Sequence, residues 1–454
     1  MLKRGILACA LTVVVGQANS DTDLNALRAE IRQMRESYEM RMKALETRLK
    51  QAETQADQAA AKADVAQQDA QAAAQATTPP AAPNSFNPEI SLILDGHYAH
   101  LKDIPNRHIT GFLPLGSEPE GLSRGFSTDA TELSIGADID PYFRGFANIV
   151  YADGGVDVEE AYVQTLGLGH GFILKGGRFR SAIGYMNEQH PHMWDFVDNP
   201  LMYQAQFGEG FIQDGLQAKW VAPTDLLMEF TGDLGRGAHF PATDRNVNGA
   251  NAYSLAFHLG GDLGDSHSWR TGLSYLHSRA ADREFFGLDP SDLDVTGAFT
   301  GRSKTWMADL VWKWAPHGNP RDTNFKFQAE WFRRQESGTL SCSSTDPLGS
   351  CFSDPSSPYA SDQSGWYAQG VYQFMPYWRL GYRYDRLDRG SADFGGHDIG
   401  DVIASLRDYN PSRHSLMLDF APSEFSLLRL QYARDESLGG RAEDQISLQY
   451  IYTA

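Results

Sequence analysis

The chain is poor in cysteine, in long apolar runs and in basic charge. Only three cysteines occur in 454 residues. Cys9 falls inside an N-terminal apolar stretch that reads as a removable signal, which leaves Cys342 and Cys351 in a Ser-, Asp- and Pro-rich segment. An even pair in an exported chain points to a disulfide closing a small loop; with no histidine beside them, zinc is the weaker reading. No uninterrupted apolar run approaches the roughly 18 residues that a membrane-spanning helix needs, and mean hydropathy is −0.42. This excludes a helical membrane protein. It does not exclude a barrel, because every second residue of a barrel strand faces water. Lysine and arginine number 39 against 58 acids, a net charge of −19 at pH 7. Residues 1–88 are balanced, ten against ten, so the remainder holds 29 basic and 48 acidic residues. Such an acidic surface argues against nucleic acid and against anions as partners. Enzyme signatures are missing too: there is no Gly-x-Ser-x-Gly, no His-Glu-x-x-His and no phosphate-binding loop. The reading is therefore non-enzymatic, with no cofactor. A Ser/His/Asp set assembled without a motif is the enzymatic alternative.

What is present is alternation. Trp306, Ala308, Leu310, Trp312 and Trp314 interleave with Thr305, Met307, Asp309, Val311 and Lys313. A strand sends successive side chains to opposite faces, so this one has an aromatic-apolar face and a polar face. Sixteen such segments follow Glu89, centred near Leu94, Ile135, Ala147, Tyr162, Leu174, Leu216, Met228, Leu255, Leu273, Leu310, Phe327, Val371, Leu380, Leu418, Leu430 and Leu448. Short connectors rich in turn residues (Asp140-Pro141, Ala222-Pro223, Met375-Pro376, Ala421-Pro422) alternate with long ones, near residues 101–124, 181–210, 235–250, 280–300, 335–363 and 387–410. The predicted fold is all-β: a sixteen-stranded antiparallel transmembrane barrel with lipid outside, water inside and long loops on the extracellular rim. A soluble sandwich or a propeller accounts less well for the aromatic strand ends.

The barrel, residues 89–454, is preceded by three further regions. Residues 1–20 read as a secretory signal, with Lys3 and Arg4 before an apolar stretch and Gly16-Gln17-Ala18 for cleavage. Residues 21–76 read as a periplasmic helix, free of Gly and Pro from 24 onward. Its heptad seam runs through Leu24, Leu27, Ile31, Met34 and Tyr38, then, after a frame shift, through Met42, Leu45, Leu49 and a series of alanines. That is a coiled coil with a stutter; the alternative is a single solvated helix. Residues 77–88 are a Pro-rich linker.

Several segments carry a family resemblance: Phe86-Asn87-Pro88-Glu89-Ile90-Ser91-Leu92, Asp138-Ile139-Asp140-Pro141-Tyr142-Phe143-Arg144-Gly145, Val158-Glu159-Glu160-Ala161-Tyr162-Val163-Gln164-Thr165, Gly176-Gly177-Arg178-Phe179, Gly184-Tyr185-Met186-Asn187-Glu188-Gln189-His190 and Asn410-Pro411-Ser412-Arg413-His414-Ser415-Leu416. Together they resemble Gram-negative outer-membrane proteins related to the phosphate-selective (O/P-type) porins, whose relatives are often labelled zinc-regulated TonB-dependent outer-membrane receptors. The resemblance spans about residues 86–454. It implies a sixteen-stranded porin-like barrel, often a homotrimer, with an N-terminal coiled coil in some members.

Residues 181–210, the third connector on the long-loop side, combine aromatics with acids. In sixteen-stranded porins this connector folds into the lumen, so Glu188, His190, His192, Trp194, Asp195, Asp198 and Tyr203 are the expected constriction, and its acids favour cations. Packing over the mouth is the alternative. Glu188, His190 and His192 share one face in extended backbone and are candidate zinc ligands. Arg144, Lys175, Lys326, Arg379, Arg383, Glu132, Glu229, Asp309 and Glu330 oppose the apolar face and are the expected lumen lining. They serve either as a transverse field or as mutually paired charge. The sequence thus reads as a passive channel for small hydrophilic solutes with a cation bias. One alternative is a divalent-metal uptake protein with zinc as cargo. The other is an envelope tether whose coiled coil contacts peptidoglycan.

Overall fold

In the computed structural model the alternation closes into a ring. The structure describes residue 43 and residues 88–454 except 105–106, 114–120, 129–130, 153–154, 209, 247, 290–292 and 345–355. The signal, the coiled coil apart from residue 43, and nearly all of the Pro-rich linker lie outside the described residues. The long strands are β1 (Glu89–His100), β2 (Thr131–Asp140), β3 (Phe143–Ala152), β4 (Gly155–Thr165), β5 (Phe172–Arg180), β6 (Ile212–Val221), β7 (Leu227–Gly235) and β8 (Ala252–Leu263). They continue as β9 (His267–Leu288), β10 (Asp294–Trp314), β11 (Asn324–Ser344), β12 (Ser356–Met375), β13 (Trp378–Phe394), β14 (Ser412–Ser423), β15 (Ser426–Asp435) and β16 (Glu443–Thr453). Two short segments, Gly125–Ser127 and His397–Asp398, add to β1 and β13. Each long strand pairs antiparallel with its sequence neighbours, and β1 closes the sheet by pairing with β2 (Leu92 with Leu133) and with β16 (Leu94 with Tyr452). All sixteen sequence-read centres fall inside these strands.

The surface is inverted relative to a water-soluble protein. On β15, Leu428, Leu430 and Tyr432 are 42–49% exposed, while the intervening Arg429 and Gln431 are 1% and 2% exposed. β16 repeats this with Ile446, Leu448 and Tyr450 outside and Ser447 and Gln449 inside. Apolar side chains have no reason to face water in preference to arginine, so the outer face is built for hydrocarbon. Two aromatic belts mark its edges. One holds Phe172–Trp220, Trp312–Phe325 and Trp378–Phe420 near the short turns; the other holds Tyr253–Tyr275, Tyr275–Trp306 and Trp366–Tyr384. Trp306 and Trp314 on β10 are separated by roughly 26 Å at about 3.3 Å per residue, and by less along the axis once the strand tilts, close to the ~25 Å apolar band of such barrels. No helix among the described residues is long and apolar enough to cross a membrane. A Leu273→Arg substitution, at an outward position 64% exposed, is expected to cost about 2–4 kcal/mol if it lies at mid-membrane depth. Loss of heat-modifiable mobility in detergent would report it. A water-facing leucine would tolerate the change.

Both chain ends of the barrel lie on the rim with the short turns, where Leu92 N donates to Ala454 O at 2.9 Å. Asp140 shapes one of those turns, its carboxylate accepting from Tyr142 N and Phe143 N. On the opposite rim, two expected long loops prove to be mostly strand, and a third begins as strand. β9 and β10 stay paired to Leu288 and Asp294, β11 and β12 to Ser341 and Ser356, and β13 runs to Phe394. Their inward residues Phe285, Phe299, Leu340 and Tyr359 pack with Ile399, Ile403 and Leu406 from the next connector. The apolar cluster that pays for this extension comes from loops far away in sequence. Cys342 is disulfide-bonded, while Cys351 lies outside the described residues.

Candidate functional site: a loop across the barrel

Between β5 and β6 the chain leaves the wall and crosses the lumen. Gly184 adopts φ +65, and a Cβ there would meet the Glu330 carboxylate and the Tyr203 hydroxyl, so this turn depends on glycine. After it come Tyr185 to Met193, then a buried helix α1 (Leu201–Phe207) that starts after Pro200 and ends at Gly208 with φ 69. All seven helix residues are buried. Leu201, Met202, Tyr203 and Phe207 join Phe112, Ile183 and Met186, together with wall residues Leu276, Met307, Phe332, Tyr367 and Leu387, in one apolar cluster.

Polar groups set the position of this loop on strands far from its origin. Glu330 on β11 accepts from Tyr185 N (2.9 Å), Met186 N (3.2 Å), Tyr203 Oη (3.0 Å) and Tyr367 Oη (2.6 Å). Burial, then the Glu330 carboxylate, raise the Tyr203 phenol well above its ordinary range, so it remains a donor. Asp385 on β13 accepts from Leu201 N, and Gln431 on β15 accepts from Val197 N. Asp198 meets Arg383 at 2.9 Å and Arg413 at 2.7 Å, and Asp195 meets Lys326 at 2.9 Å and Arg379 at 3.3 Å. Burial pushes the Asp195 and Asp198 carboxyls up. The facing bases (Lys326 and Arg379; Arg413 and Arg383) outweigh it, so both lie below the ordinary aspartate value.

These contacts revise the lumen. The loop acids read as a cation-selecting ring are consumed: Asp195 and Asp198 are buried in ion pairs, and Glu188 faces Arg270 (3.1 Å) and Lys219 (3.7 Å). Glu188 therefore does not join the histidines. Trp194 and Tyr203 lie in the buried part of the loop, Arg383 and Glu330 stand behind it against the wall, and Glu132 is 0% exposed. Asp309 is buried beside His258, and Arg144 pairs with Glu89 and Asp138. Side chains around the loop that keep partial access include Lys175, Lys219, Arg270, Lys326 and Arg379, with Glu188 and Glu229 as acids among them. Tyr185 lies between two of these bases, its ring 5.3 Å from the Arg270 guanidinium and 5.4 Å from the Lys326 ammonium. The accessible charge inside is thus mainly basic, although the barrel as a whole is acidic.

At the loop tip, His190 and His192 stack with ring centroids 5.8 Å apart. His190 reaches Glu159 and Glu160 on β4 and Glu132 on β2, and His192 reaches Glu132. Neither Glu159 nor Glu160 was singled out in the sequence as a ligand. Strict alternation turns one of two adjacent residues outward. A register shift between β3 and β4, where Asn148 pairs with Glu160 but Ile149 with Val158, leaves Glu159 as an extra residue, and both carboxylates are buried inside. The only signal was the adjacent acid pair in a strand.

No family model matches the chain. An uncharacterized protein of Aquifex aeolicus (strain VF5) is 32% identical over 383 residues, 79% of this chain and 75% of that one. The chain belongs to its family. Among solved structures, a loop L8 deletion mutant of OmpT, an outer membrane protein of Vibrio cholerae, matches with a TM-score of 0.50 at 9% identity, covering 82% of this chain and 100% of that one. At that identity the match concerns the fold: a closed sixteen-stranded antiparallel barrel. The outer membrane channel DcaP of Acinetobacter baumannii aligns with a TM-score of 0.47 at 13% identity, over 81% of this chain and 97% of that one.

Proposed function

We propose that this protein is an outer-membrane porin, a passive water-filled channel for small hydrophilic solutes, non-enzymatic and working as a homotrimer. The observation that carries the reading is the loop between β5 and β6. It fills one part of an outwardly apolar barrel and leaves partly accessible charge facing the rest. Rings of charge at a constriction choose the permeating ion. With Lys175, Lys219, Arg270, Lys326 and Arg379 accessible and the loop aspartates neutralised, the channel favours anionic or zwitterionic solutes, in place of the cation bias read from the acids of the loop. The resemblance supports the trimer, and the helix of residues 21–76 is proposed as its periplasmic stalk.

The test is a reversal-potential measurement in a planar bilayer under a KCl gradient. The sign expected is that of anion preference, and Lys219→Glu combined with Lys326→Glu is expected to invert it. A cation preference indifferent to these variants would place selectivity elsewhere, and no conductance from a folded barrel would refute the channel.

A further inference from the structure

The cluster at the loop tip has the make-up and support of a metal centre. We propose that Glu132, Glu159 and His190 form a zinc-class divalent cation site that ties the tip of the crossing loop to strands β2 and β4. Their candidate ligand atoms all lie within 4.8 Å of one another. His190 Nδ1 is 2.8 Å from Glu159 Oε2 and 3.4 Å from Glu132 Oε2. Ligands about 2.1 Å from a tetrahedral ion stand about 3.4 Å apart, so Glu132 already has the spacing and Glu159 needs to withdraw by about half an ångström.

The atoms that would not bind metal are each held by a separate partner. His190 Nε2 donates to Glu160 Oε2 at 3.0 Å, the usual outer contact of a ligating imidazole. Glu132 Oε1 lies 2.9 Å from His192 Nδ1, and Glu159 Oε1 is held by Arg180. Each ligand is thus oriented from behind, with its other polar atom pointing to a common centre. Asn148, 1% exposed, points its amide at the same place: Nδ2 is 2.8 Å from Glu132 Oε2 and 3.3 Å from His190 Nδ1. Its buried Oδ1 has no hydrogen-bond partner. Turning the amide over offers that oxygen as a fourth ligand at the cost of the Nδ2 contacts.

Charge agrees with geometry. Three carboxylates meet here. Arg180 touches Glu159, and Lys175 stands within electrostatic reach of Glu160. With both imidazoles neutral, the three carboxylates outnumber the two cations by one in a buried setting, and a divalent ion corrects the excess. One imidazole nitrogen with carboxylate oxygens suits Zn2+, whereas Mg2+ and Ca2+ prefer shells of oxygen alone. The site stands whether or not the barrel conducts.

Calorimetric titration of full-length, metal-free protein in detergent with ZnCl2 tests this. One Zn2+ per chain at micromolar affinity or tighter is expected, undisturbed by millimolar Mg2+. His190→Ala and Glu159→Gln should each weaken binding by at least about tenfold, while His414→Ala, an outward histidine hydrogen-bonded to Tyr382, should leave it unchanged. X-ray absorption of the zinc-loaded protein should show nitrogen and oxygen ligands at about 2.0–2.2 Å and no sulfur. Absence of binding by the unaltered protein overturns the proposal, and so does binding that a folded His190→Ala variant retains. The titration of the unaltered chain decides the matter even if a variant fails to fold.

Discussion

Replacing Glu330 by alanine is expected to free the loop that crosses the barrel. The carboxylate accepts two loop amides, Tyr185 N and Met186 N, and two phenols, Tyr203 and Tyr367. An orphaned buried donor costs about 1–3 kcal/mol, so even the low end for four donors comes to several kcal/mol, partly offset because a buried carboxylate no longer has to be desolvated. The apolar cluster around Phe207 and Phe332 still attracts the loop, but it has no direction. Direction comes from the carboxylate. Expected consequences are proteolytic cleavage within residues 185–207 of the folded barrel and a rise in single-channel conductance of at least about twofold, as the constriction loosens. Glu330→Gln, which keeps one acceptor but sets an amide donor against other donors, should fall between. A folded Glu330→Ala barrel with unaltered protection and conductance would mean that the loop neither depends on this anchor nor limits the pore.

The second large effect is at Asp198. Its two oxygens meet Arg383, Arg413 and Gln431, and Arg383 is 0% and Arg413 2% exposed. Asp198→Ala leaves the two buried guanidiniums with Asp385 and, 3.8 Å from Arg413, Asp435, and breaking a buried pair from one side costs about 3–5 kcal/mol. The midpoint of unfolding in urea or on heating in detergent should drop accordingly. The pH dependence has a definite sign. Asp195 and Asp198 are depressed in the folded state, so their stabilisation is complete above the unfolded aspartate value of about 3.9 and is lost as pH falls through the lower folded values. The share of the loop's protease protection that these two aspartates supply should therefore hold from neutrality to about pH 5 and fail only below about pH 4. Loss between pH 6 and 7 would implicate other groups.

The barrel was readable because its signal is local and repeated. Leu428, Arg429, Leu430, Gln431 and Tyr432 alternate whatever surrounds them, and a period of two can be satisfied only by a sheet with unlike faces. The crossing loop was half readable. Its aromatic and acidic make-up marked the segment as special, and its place after the fifth strand suggested the lumen. Its acids misled, because Asp195 and Asp198 are neutralised by Lys326, Arg379, Arg383 and Arg413, which come more than a hundred residues later. Similarly, nothing local separates the strand extensions around Phe285 and Leu340 from loops, since the residues that bury them lie near Ile399 and Ile403.

By itself the sequence determined strand number, the inside and outside of the regularly alternating strands and the connector that stands apart in make-up, since each follows from side-chain alternation and turn chemistry within about a dozen residues. Tertiary structure alone decided which charges remain accessible and which carboxylates meet His190. Both depend on pairings between distant strands. The second also depends on the bulge at Glu159, a single extra residue that turns two adjacent acids to the same side.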